Sequence, residues 1–103
     1  MTLTEIRDLL IQADPDIRHY FSTEENRDYT WWEETDRLPF TADGAHVEGW
    51  VFYVHRFTRQ ADDPVVTALF ALLDANPRTT VAHTQDYDPD TEYSHHIFRC
   101  EGI

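Results

Sequence analysis

The residues best suited to chemistry stand at the end of the chain, in EYSHHIFRCEGI, where His95 and His96 precede Cys100, the sole cysteine. Imidazole and thiolate are common zinc ligands and common partners in nucleophilic catalysis. Neighbours on a β-strand point to opposite faces, so His95 and His96 cannot grip one ion if this stretch is a strand. His96 and Cys100 then share a face but lie about 13 Å apart, too far to converge at the roughly 2.0–2.3 Å that zinc requires. A four-residue turn at Asp88–Thr91 sets His83 opposite His96 across a hairpin, yet the sequence offers no third ligand. No metal or other cofactor is therefore expected. Cys100 has no glycine-rich elbow or helix N-terminus beside it to lower its pKa. The acid pairs Glu24-Glu25, Glu33-Glu34 and Asp62-Asp63 are sequence neighbours. Glu33 and Glu34 diverge on a strand, and Asp63 is explained by helix capping. HExxH, P-loop and GxGxxG patterns are missing. Trp31-Trp32 offers stacking surface, and one indole in the core with the other at an interface is the expected arrangement. These residues point to a non-enzymatic protein without catalytic groups.

The elements that must position these side chains follow from pattern. Thr2-Leu-Thr-Glu5 matches a capping box, and Ile6, Leu9, Leu10 and Ala13 continue at helical spacing, predicting a helix over residues 3–13. Asp14-Pro15 stops it. Residues 16–28 read as a polar loop anchored by Ile17, Tyr20 and Phe21. A strand is predicted from about residue 29 to 37, and WVFYVHRFT gives the strongest strand of the chain. Between them TADGAHVEG carries the Asp43-Gly44 turn signal, so residues 38–49 read as the tip of a long hairpin. In WVFYVHRFT, Trp50, Phe52 and Val54 point one way and Val51, Tyr53, His55 and Phe57 the other. Both faces are apolar or aromatic. One sheet with two helices covers one face, so the second is expected to meet a partner. Asp63-Pro64 opens a second helix and Asn76-Pro77 ends it. Two strands around Asp88-Pro-Asp-Thr91 complete an α-β-β-α-β-β order. The expected fold is one α+β domain over residues 1–103, with an antiparallel sheet, helices on one face and a long projecting hairpin.

The totals set the class. A chain of 103 residues with 41% apolar composition supports a single core. No apolar run approaches the roughly 18 residues of a membrane span. MTLTEIRDLL lacks the cationic start of a signal peptide, and one cysteine agrees with a reducing compartment. A soluble cytosolic protein is expected. Twenty acidic residues face eight basic ones, for a net charge of −12, and every basic residue is arginine. Binding along a phosphate backbone needs clustered cations, which this chain lacks. Specific nucleic-acid binding is therefore not expected.

Three stretches resemble small proteins of phage and prophage structural modules: TLTEIRDLLIQADPDIRHY at 2–20, EGWVFYVHRFTRQADDP at 48–64 and HTQDYDPDTEYSHHIFRCEGI at 83–103. They look like tail-terminator or tail-completion components. The resemblance implies a homohexameric ring that caps the tail tube and joins it to the head. The implied partners are other copies of the chain, tail-tube proteins and head-connector proteins, with DNA passing through unbound and no membrane involved. The implied location is the host cytoplasm during assembly and then the head–tail junction of the virion. Val51, Tyr53, His55, Phe57, Trp32 and His95 are the expected interface residues. The competing expectation, drawn from charge alone, is a small acidic inhibitor of the DNA-mimic or immunity type.

Overall fold

The computed structural model describes residues 1–42 and 45–103, and the Asp43-Gly44 turn signal lies outside them. Helix α1 (Leu3–Leu10) starts as its sequence dictates. The Glu5 amide donates to the Thr2 hydroxyl and the Thr2 amide to the Glu5 carboxylate, both at 3.1 Å. Its apolar stripe buries Ile6 and Leu10 completely. The helix is shorter than expected, because residues 11–13 form turns that carry the chain to Asp14.

Strand β1 (Arg18–His19) was not foreseen, being two exposed residues inside a polar segment. It pairs in parallel with β2 (Tyr29–Ala42), Arg18 against Trp31 and His19 against Trp32. The sheet is thus mixed, not wholly antiparallel. Tyr20 and Phe21, expected as anchors, are 52% and 71% exposed, while Ile17 packs against the core. Strand β3 (Ala45–Thr58) runs antiparallel to β2, with pairing from Tyr29–Phe57 to Ala42–Ala45. Residues 38–42 and 45–49, expected in a loop, are therefore strand. Pro39 does not end β2, because beyond β1 that strand is a sheet edge, where proline is tolerated.

Helix α2 (Pro64–Ala75) has Asp63 as its N-cap, accepting the Val65 amide at 3.1 Å, and proline in its first turn. It leads to β4 (Thr79–Tyr87), and β5 (Ser94–Gly102) inserts between β4 and β3, giving the order β1-β2-β3-β5-β4. Strands β3 and β4 are each antiparallel to β5 and hence parallel to one another. A parallel return needs a crossover, and α2 supplies it. Both helices share a core with the sheet. Ile6, Leu10, Leu69 and Leu73 pack with Trp32, Phe52, Val54, Phe98 and Cys100. Among the described residues there are two helices and one five-stranded sheet, an α+β fold, and no helix is long and apolar enough to cross a membrane.

Candidate functional site

Pairing across β2, β3 and β5 sorts the side chains into two faces. Trp32, Val54 and Phe98 stand in one row beneath the helices. Trp31, His55 and Ile97 form the neighbouring row on the other side. No helix or strand among the described residues overlies this second face. Val51, Tyr53, His55, Phe57 and His95 all lie on it, as expected. Trp32 does not. It is 1% exposed and in the core, and Trp31 occupies the open face in its place. The correction follows from register: adjacent strand residues must diverge, and pairing with Val54 commits Trp32 to the helix side.

The open face carries a continuous stack. Trp31 lies on His55 at 4.0 Å, His95 lies on Phe57 at 4.1 Å, and Phe57 lies on Tyr29 at 4.7 Å. His55 and His95 join the two halves through Nδ1 and Nε2 at 2.9 Å. Glu33 Oε2 sits 3.0 Å from His55 Nε2. A carboxylate only accepts, so His55 donates through Nε2 and its bare Nδ1 accepts from His95 Nε2–H. Burial pushes His95 down to about 4, helped by the neighbouring His55. Burial also lowers His55, against the pull of Glu33. Near neutral pH both rings are uncharged. Carboxylate, imidazole and imidazole in series has the orienting half of a catalytic relay, but its third member is no hydroxyl or thiol.

His96 faces the helices, where its Nδ1 meets His83 Nε2 at 2.9 Å. Divergence of His95 and His96 follows the alternation of the strand. The register differs from expectation: His83 opposes Phe98, and Gln85 opposes His96. Residues 88–93 form a longer connection than four residues, so the two histidines meet diagonally, with His83 stacked on Phe98 at 4.7 Å. Burial, then the proximity of His83, lowers His96. Cys100 is fully buried, which pushes its thiol up to about 12 and keeps it protonated. Among the described residues, no three His, Cys, Asp or Glu side chains converge on a metal position.

One cluster was missed from sequence. Arg56 is 6% exposed on the helix side of β3 and forks onto Asp63, with Nε–Oδ2 at 2.7 Å and Nη2–Oδ1 at 3.3 Å. Asp14 and Asp28 each approach within 3.8 Å, and the Thr30 hydroxyl accepts at 3.3 Å. The signal was an arginine at a core-phase position of an otherwise apolar strand, with a capping aspartate seven residues on. The cluster ties the turn that follows α1, the start of β2 and the N-cap of α2 to the central strand.

No protein-family model matches the chain, and no curated protein matches it significantly either.

Proposed function

We propose that the chain is a non-enzymatic structural subunit of a phage or prophage particle, a tail-terminator or tail-completion protein that assembles as a ring. The ring caps the tail tube and joins it to the head. The observation that carries this reading is the uncovered sheet face, with aromatic and imidazole rings stacked across three strands. A face of this kind on a two-layer domain is the surface that a neighbour buries. Tyr53, His55, Phe57 and His95 supply the half-buried part of the patch, beside Val51 and Trp31, which are 6% and 8% exposed. Phe21, 71% exposed and edge-on to Trp31 at 5.4 Å, extends it.

Other features support the same role. The element order α-β-β-β-α-β-β differs by the two-residue β1 from the expected α-β-β-α-β-β, an order similar to that of the tail-terminator fold. Strands β2 and β3 are 14 residues each, and the molecule measures 51 × 23 × 22 Å, which suits a hairpin reaching a neighbour. Ring closure requires heterologous contacts, one patch meeting a different patch of the next copy. A net charge of −12 per subunit repels phosphate, so DNA passes without adhering. Neck and tail-tube proteins are the remaining partners, and the virion is the final location.

Electron microscopy of the purified chain, alone and with tail tubes, tests this proposal. Sixfold rings, or density at the head-proximal end of tails, are expected. Tyr53→Glu is expected to abolish rings while leaving the circular-dichroism spectrum intact. A chain that stays monomeric beside finished particles lacking it overturns the proposal.

A further inference from the structure

Strand β4 is the outer strand of the sheet, paired with β5 on one side and, among the described residues, with no strand on the other. The ends of the β4–β5 ladder fix the phase of its backbone. The Ile103 amide donates to the Arg78 carbonyl and the Asp88 amide to the Tyr93 carbonyl, both at 2.9 Å. Antiparallel partners alternate between bonded and non-bonded pairs, so Thr80, Ala82, Thr84 and Asp86 turn their amides and carbonyls towards β5. Thr79, Val81, His83, Gln85 and Tyr87 turn theirs outward. The Thr79 amide donates to the Asn76 carbonyl and the Tyr87 amide to the Asp86 carboxylate. The amides and carbonyls of Val81, His83 and Gln85 meet no partner among the described residues.

The two edges of the sheet differ. The β2 edge is bulged between Glu34 and Asp36, carries Pro39 and is partly covered by β1. These are devices that keep sheets from joining. Residues 79–85 of β4, TTVAHTQ, contain no charged residue and no proline. Thr79, Thr80, Val81 and Thr84 are β-branched and favour a strand.

An outward row of donors and acceptors takes up an extended chain, and β4 is matched to a second copy of itself. Outward residues bond only with outward residues, and full antiparallel overlap then sets His83 opposite His83 of the second copy. Val81 faces Gln85, Ala82 faces Thr84 and Thr80 faces Asp86, so no two carboxylates are opposed. Copies that each carry −12 meet here across an uncharged stretch. Phe70 of α2 is 41% exposed, and its ring lies 6.3 Å from that of His83, which places an apolar side chain beside the axis.

We propose that β4 is a dimerisation edge: two copies pair β4 with β4, antiparallel about a twofold axis at His83, and join two five-stranded sheets into one. The edge and the open face are separate surfaces, so the inference does not rest on ring assembly.

The test combines sedimentation equilibrium of the full chain with amide hydrogen exchange by NMR over a range of concentrations. A dimer is expected, with the Val81, His83 and Gln85 amides protected at high concentration and open at low. The Ala82 and Thr84 amides, bonded to β5, are expected to stay protected throughout. Gln85→Pro removes an outward donor and leaves the β5 ladder intact, so it is expected to weaken dimerisation about tenfold or more. His83→Cys is expected to crosslink two copies under mild oxidation, because bonded pairs hold their Cα atoms about 5.5 Å apart, within disulfide reach. Gln85→Cys is expected not to crosslink, its mate lying roughly 13 Å away along the strand. Cys100 is buried and takes no part. Tyr53→Glu, on the open face, is expected to leave the dimer intact, which separates this contact from the ring. Outward amides that exchange freely at every concentration, dimerisation unchanged in Gln85→Pro, or equal crosslinking at positions 83 and 85 overturns the proposal.

Discussion

His95 stands between His55 and Phe57 on the open face, and its proton equilibrium ties it to stability. An unfolded histidine takes up its proton near pH 6.5, whereas folded His95 does so only at about 4. Between those values the unfolded chain binds more protons, so stability rises with pH across that window. It is complete above pH 6.5 and is lost progressively on acidification towards pH 4. His55 and His96, lowered chiefly by burial, act in the same direction. Asp28 acts at lower pH. Burial works to raise it, but hydrogen bonds from Gln60, Thr58 and the Arg59 amide, with the charge of Arg56, hold it below its ordinary value. The urea midpoint is therefore expected to fall between pH 7 and pH 4.5. His95→Gln, which keeps a polar side chain but cannot titrate, is expected to flatten that fall. An unchanged slope in the variant would remove His95 from the account.

At the scale of elements, Asp63 does two tasks. Its carboxylate caps α2 and pairs with the buried Arg56 of β3, its own side chain 1% exposed. Removing one partner of a buried pair strands the other charge, at a cost of about 3–5 kcal/mol. Asp63→Ala is expected to destabilise by that amount in chemical denaturation. Asp63→Asn keeps an acceptor for the Val65 amide, so it is expected to retain about 1 kcal/mol of the cap. Equal losses in the two variants would show that capping adds nothing here. The strands carry a second element-scale feature, a bulge between Glu34 and Asp36. An extra residue reverses the alternation beyond it. Asp36 consequently pairs with Val51 on the open face, while Arg37 joins Trp50 on the other, its guanidinium 4.9 Å from the indole centroid.

At the scale of the whole molecule, charge opposes the association that the open face favours. Each copy carries −12, so neighbours in the proposed ring would repel one another. Salt screens that repulsion, with a Debye length falling from about 30 Å at 0.01 M to about 8 Å at 0.15 M. Sedimentation velocity is expected to show a larger assembled fraction as salt rises over this range. Assembly weakened by salt would point instead to interfaces dominated by arginine–carboxylate pairs. Two helices serve one side of five strands, and the aromatic stack lies on the other side, where the proposed neighbour would bind.

Local chemistry set the punctuation of this protein. Thr2 and Glu5, Asp63 and Pro64, and Asn76 each act through groups within a few residues, so the helix limits were legible apart from the last turn of α1. Alternation in WVFYVHRFT was legible too, because a strand must send Phe52 and Val54 to one side and His55 and Phe57 to the other. What crossed the chain was not. Which tryptophan enters the core depends on the pairing of Trp32 with Val54. Whether His83 meets His96 depends on a register two residues away from the simplest turn. The Arg56 cluster gathers Asp14, Asp28 and Asp63 from three separate segments. Distances between remote residues are set by strand pairing and helix crossover, and only the tertiary structure decided them.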